Sequence, residues 1–376
     1  MSYKIPITSA FLIFPFIAFL FTIPYMLVQY HKYGSINKFR TIIIYSFILY
    51  LITIYFLVIL PLPSIDYVKD LTTPKYNLVP FKAVFDFIKE TPLVITNPST
   101  YILALKDASF YTIAFNIIMT IPFGIYLRYY FKCSFKKVLV YSFILSLFFE
   151  ITQLTGLYFI YPRAYRLFDI DDLITNTLGG ILGYFIANKL KFLPTREEID
   201  TKALEDGKTV SGLRRITLFF LDLFIVSLGE SLIRIWINND YIKYLIYFIY
   251  FVIMPSFMNN QTLGGKFLNI KFEFKINNFF GLLLKEITII LYYQFIPSIL
   301  ASGISYLSKI SLNHVYLGLI IIAYFLALFF IYVITLIKIW KNGYIFYDKV
   351  SKVKYISTIL EGKNGNKSTA KSLLNA

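Results

Sequence analysis

The segment LGLIIIAYFLALFFIYVITLI, ending just before Lys338, runs for 21 residues without a charge. About twenty apolar residues in helical form cross a bilayer core roughly 30 Å thick. Runs of this kind recur along the chain, and we place nine, near residues 7–30, 41–61, 110–127, 138–158, 173–190, 216–236, 241–258, 279–301 and 315–338. Composition agrees: 57% of residues are hydrophobic and only 15% charged, against about 25% charged in soluble domains. A transmembrane β-barrel would show short alternating segments instead. The expected fold is therefore an all-α polytopic membrane protein of about nine transmembrane helices in two helical modules. The first run is too long for a signal-peptide core and lacks a small-residue cleavage site, so it reads as a retained span.

The formal charge of +16 does not point to nucleic acid. Lysine and arginine sit in short loops between apolar runs and in the tail, as topogenic charge beside anionic lipid headgroups does. Residues 31–40, 128–137, 189–215 and the tail from 341 are the basic segments. All fall on the cytoplasmic side if the N-terminus lies outside and the C-terminus inside a cell membrane. Segment 62–109 and loop 159–172 then face outward. Mixed charge at 191–211 marks a cytoplasmic linker between a domain at 1–190 and another at 212–355, with a flexible tail at 356–376. Cys133 is the one cysteine, so no intramolecular disulfide is possible.

The stretch from Glu150 to Gly183 concentrates ionisable residues where they are expensive. Glu150 and Gln153 share a helix face. Arg163 and Arg166 follow among Tyr161, Tyr165 and Phe168. Next come Asp169, Asp172, Asn176, Gly179, Gly180 and Gly183 at three- and four-residue spacing, a stripe that Arg166 joins if the segment is helical. Gly179 and Gly183 form a GxxxG step, which admits a close helix neighbour. We expect the fourth span as that neighbour, bringing Glu150 and Gln153 near the Asp172–Asn176 turn. A self-neutralising network, with an arginine offsetting the aspartates, explains part of this pattern by packing alone. The complete set is costly for packing only, since a charge at mid-membrane costs on the order of 3 kcal/mol or more.

These residues resemble the VanZ-like family of bacterial membrane proteins. Glu150, Gln153, Arg166, Asp169, Asp172, Asn176, Gly179 and Gly183 match its pattern, with Asn77-Leu-Val-Pro-Phe81 resembling its outer-loop element and Asn116, Pro122 and Gly124 its polar step. The resemblance covers about residues 40–190 and implies a bacterial envelope protein of a family whose founding member is linked to resistance to the glycopeptide teicoplanin. Residues 212–355 resemble the RDD family through Arg215, Asp222, the loop Asn260-Gln-Thr-Leu-Gly-Gly-Lys266 and Asp348. That resemblance implies a module for which transport or ion exchange has been proposed. Arg215, Asp222 and Asp348 read first as an inner-face clasp, with Lys266 or Lys271 within reach, and second as a cation or proton site. Glu230 and Arg234 form an i,i+4 pair, whereas adjacent Lys285 and Glu286 are expected to need separate partners.

Three functions remain. The first is binding of an anionic lipid or cell-wall precursor at the outer face by Glu150, Gln153, Arg163, Arg166, Asp169, Asp172 and Asn176, supported by Asn77, Asn116, Gly179 and Gly183. The second is ion or proton exchange using Glu150 and Asp222. The third is a metal-assisted lipid-modifying enzyme, in which Asp169, Asp171, Asp172 and Glu150 hold a hard cation through oxygen. Only His31 and His314 are present, away from the acidic cluster in sequence, which weakens a histidine-dependent lipid phosphatase or a zinc site, and no serine–histidine arrangement suggests a hydrolase. The sequence assigns no catalytic residue, cofactor or metal.

Overall fold

A computed structural model describes residues 4–94, 96–237, 239, 241–309 and 314–359. Ten helices carry the architecture: α1 (Lys4–Tyr33), α2 (Lys38–Ile59), α3 (Ala108–Tyr129), α4 (Phe135–Leu154), α5 (Ile170–Ala187), α6 (Arg196–Asp206), α7 (Gly212–Arg234), α8 (Ile242–Phe257), α9 (Asn278–Lys309) and α10 (His314–Trp340). A helix satisfies its backbone polar groups internally, which a lipid environment demands. Every expected span coincides with one of these helices. Among the described residues, seven are long and apolar enough to cross a membrane; α5 and α8 fall short, α5 with 18 residues opening on Asp171 and Asp172. The fold is that of an all-α polytopic membrane protein.

The chain divides into two compact units, one of Met1–Phe21 with Lys38–Ile199 and the other of Thr22–Asn37 with Asp200–Ala376. The expected division at 190 thus meets a complication, because the second half of α1 packs with the C-terminal unit. The linker at 191–211 is not plain coil either, since it carries α6. In the tail, residues 356 and 357 belong to a strand; those from 360 onward lie outside the described residues.

In the first unit, α5 lies against α3 and α4. Gly179 and Gly183 face α3, not α4 as expected: a Cβ on either would collide with backbone of Ile117 or Ile121, and one on Gly124 with the Gly180 carbonyl. Gly180 is the residue that meets α4, at Ser142. Glycine lets two helix backbones approach this closely, and the sequence pattern named the face without naming its neighbour. α2 joins the group through Tyr50, which donates to the Met119 carbonyl at 2.9 Å, and Ser46, which meets the Tyr126 hydroxyl at 2.9 Å. Among its described residues, segment 62–109 holds three short α-helices, a 3-10 turn and strand β1 (Tyr76–Asn77), which pairs in parallel with β2 (Phe168–Asp169).

The second unit has a core of Tyr30, Leu218, Val252, Leu268, Ile270, Phe272, Leu282 and Val353. An antiparallel ribbon of β3 (Ile270–Phe274) and β4 (Val353–Ser357) alternates buried with less buried positions along β3, so one of its faces feeds that core. Arg214 is fully buried and binds the carbonyls of Gly207, Leu268 and Asn269 and the Ser357 hydroxyl. One guanidinium therefore ties α7 to β4 and to the turn that leads into β3.

Candidate functional site

The polar face of the first unit is assembled where β2 turns into α5. Asp169 caps that helix: its Oδ1 accepts from the Asp171 backbone N–H at 3.0 Å. The same carboxylate oxygen accepts from Asn77 Nδ2 at 3.1 Å, across the β1–β2 pair. Glu150, only 2% exposed, reaches from α4 and accepts from the Asp169 N–H at 2.8 Å. Asp172 accepts from Asn116 Nδ2 of α3 at 2.6 Å. Asn176 donates to Ser146 Oγ at 3.0 Å, and Ser146 donates to the Asp172 carbonyl. Glu150, Asn77, Asn116, Asp169, Asp172 and Asn176 are thus brought together.

Other expected members stand apart. Gln153 is buried but donates to the Val58 carbonyl of α2, at 3.3 Å. Arg166 precedes β2 in non-helical backbone and so does not extend the α5 stripe. Among the described residues neither arginine forms an ion pair with the aspartates. Arg163 donates to the carbonyls of Leu71 and Thr73, and Arg166 Nη2 donates to the Leu60 carbonyl at 2.9 Å. Among the described residues no carboxylate lies within ion-pair distance of Arg166, and burial lowers the pKa of its guanidinium. The carboxylates are held by amides and backbone N–H groups instead.

Asp171 was absent from the expected binding face, yet it is 5% exposed and tightly placed. Its two oxygens accept from the backbone N–H groups of Phe81 and Ala83 at the start of helix Lys82–Glu90. A carboxylate there satisfies orphan donors and complements the helix dipole. With Asp169, Asp171 and Asp172 each turned to a different partner, they do not gather around an ion. Among the described residues no group of three or more His, Cys, Asp or Glu side chains is placed to hold a metal.

In the second unit Arg215, Asp222 and Asp348 occupy two separate networks. Arg215 Nη2 lies 2.5 Å from Asp348 Oδ2, with the two side chains 6% and 0% exposed. Arg215 also donates to the Gly343 carbonyl and sits over the Tyr355 ring at 4.1 Å. Asp222 belongs to another set, accepting from Tyr250 Oη at 2.6 Å, Thr262 Oγ1 at 2.8 Å and the Gly264 N–H at 3.1 Å. The loop at 260–266 therefore meets Asp222 through Thr262 and Gly264, not through Lys266 or Lys271. Glu230 and Arg234 pair at 2.9 Å as expected. Lys285 and Glu286 contradict the expectation by pairing with each other at 2.7 Å. Adjacent Cβ atoms diverge on a helix, but long side chains can bend back to meet when both are shut away from water.

A family model described as VanZ/LLP1 matches residues 47–192. Protein VanZ of Enterococcus faecium is 44% identical over 78 residues, a stretch that is 20% of this chain and 44% of VanZ. The chain thus spans less than half the length of that curated relative. No solved structure matches. Every member of the polar face, from Asn77 to Gly183, falls within the matched stretch, and residues 47–192 form a VanZ-like domain in a membrane protein.

Proposed function

We propose that the VanZ-like domain binds an anionic lipid or envelope precursor through its arginine-bearing face, on the outer side of the cell membrane. The observation that carries this reading is Arg166: a half-buried guanidinium that gives one donor to Leu60 and has no carboxylate partner among the described residues. A phosphate takes up two guanidinium N–H groups in parallel, with a geometry lysine does not reproduce. Glu150, Asp169 and Asp171 take the part of a scaffold, their oxygens turned to backbone N–H groups. On this reading Arg166→Gln in the full-length protein weakens binding of a phosphorylated polyprenyl lipid about tenfold or more. Unchanged affinity, or no binding by the wild type, overturns it. The link to teicoplanin resistance carried by the VanZ resemblance adds a cellular readout: expression lowers susceptibility to that drug, and Arg166→Gln abolishes the effect.

The orientation is part of the proposal and has its own test. In a Cys133→Ser background, an impermeant maleimide added to intact cells should label a cysteine at exposed position Lys75 and leave one at exposed Lys136 unlabelled. The opposite pattern reverses the topology. Ion exchange through Glu150 and Asp222 has weaker support, because three donors already fix Asp222. Flux in proteoliposomes that is lost in Asp222→Asn would favour exchange over lipid binding.

A further inference from the structure

The second unit contains a cavity that the lipid-binding reading does not use. A chamber of about 660 Å³ lies among α7, α8 and α9, next to a smaller lobe of about 100 Å³. Small-molecule pockets span roughly 300–1,000 Å³ and are mostly apolar with a few placed polar groups. Phe219, Tyr247, Phe251 and Tyr293 line both spaces, and Glu286 stands where they meet. Two departures from α-helical winding border the chamber, π-helical turns at Ile249–Ile253 and Leu291–Phe295, which supply Phe251 and Tyr293. Such turns are rare and often occur at functional sites.

Charge narrows the ligand. At the inner end, Arg215 is matched by Asp348 and Lys285 by Glu286. Asp222 lines the same lobe, 3% exposed, with no lysine or arginine among the described residues within ion-pair distance. At this inner end Lys285 therefore faces two carboxylates, a local excess of one negative charge, while Glu230, which also lines the chamber, is matched by Arg234 at 2.9 Å. Lys243 stands at the opposite end, with its ammonium 4.9 Å from the Tyr244 ring centroid. A bare hard cation takes six to eight oxygen ligands, and no metal-holding group exists among the described residues. Aromatic faces beside a carboxylate suit an organic cation, which the rings attract through their quadrupoles.

We propose that this cavity is a binding site for a lipophilic organic monocation, its charge seated against Glu286 and its apolar body against Tyr247, Phe251 and Tyr293. Entry of the ligand lets Lys285 swing from Glu286 toward Asp222, so that both carboxylates keep a cationic neighbour. The site is independent of what the VanZ-like domain binds.

The test uses the full-length protein in lipid nanodiscs, with tetraphenylphosphonium as probe and tetraphenylborate as its anion of matching shape. Saturable binding of the phosphonium is expected, weakened about tenfold by Glu286→Gln and by Tyr247→Leu, with no competition from the borate. Tyr247→Leu leaves the Lys285–Glu286 pair intact, so it reports on the site even if Glu286→Gln impairs folding. Absent binding, equal binding of both ions, or affinity unchanged by both substitutions overturns the proposal. Displacement by millimolar sodium also overturns it, assigning the excess charge to an inorganic ion.

Discussion

Replacing Asp348 with alanine will destabilise the second unit by about 3–5 kcal/mol, the cost of removing one partner from a buried ion pair. Arg215 would keep its contact with the Gly343 carbonyl and its place over Tyr355, while its Nε already has no partner. Two further donors would lose their acceptor: the Ile345 N–H at 3.2 Å and Tyr355 Oη at 2.8 Å. Burial first, and the charge of Asp348 second, push the Tyr355 hydroxyl well above its ordinary pKa, so it stays protonated and needs that acceptor. Arg215→Met together with Asp348→Leu should recover most of the loss, since an apolar pair of similar volume avoids the desolvation of two charges. Thermal unfolding in detergent of the wild type, the single variant and the double variant measures this. A single variant as stable as the wild type would show that the pair holds nothing in place.

The second large effect lies at the α3–α5 contact. Gly183→Ala should cost about 1–3 kcal/mol or more, because the added methyl group meets the Ile121 carbonyl and the neighbouring backbone cannot yield as a side-chain tip can. Gly179→Ala meets Ile117 and Thr120 in the same way. Gly229→Ala in α7 is the matched control, with nothing within 4 Å of the new Cβ. Its effect should be small or favourable, as expected from helix propensity. If all three substitutions shift the unfolding temperature alike, close approach of α3 and α5 is not what the two glycines provide.

How far the sequence revealed these features depended on the range of each interaction. Apolar runs are local, so the helices were legible, including α5 and α8 that prove shorter or more polar than the rest. The GxxxG face of Gly179 and Gly183 was also legible, because spacing defines a helix surface. Its neighbour was not, because nothing in the spacing separates α3 from α4. Asn77 and Asn116 joined the acidic turn through a family resemblance rather than a visible pattern. Asp171 escaped the binding-face expectation because its partners are backbone N–H groups at Phe81 and Ala83, which carry no side-chain signature. Its acidic place in the first turn of α5 was the available clue. The Lys285–Glu286 pair escaped because helical periodicity describes where Cβ atoms point, not where long side chains end.

The second half of α1 has a consequence for how this protein comes into being. Tyr30 packs with Leu268, Ile270 and Val353, His31 Nδ1 meets the Phe267 carbonyl at 2.8 Å, and Asn269 donates to the carbonyls of Tyr30 and His31. Tyr30 and His31 therefore wait for partners that leave the ribosome more than two hundred residues after them. Until then, the contacts that seat Tyr30 and His31 in the second unit cannot form. Order of synthesis thus binds the two halves into one inheritance: a gene fragment starting at the linker would encode the C-terminal helices without the turn of chain that completes their core.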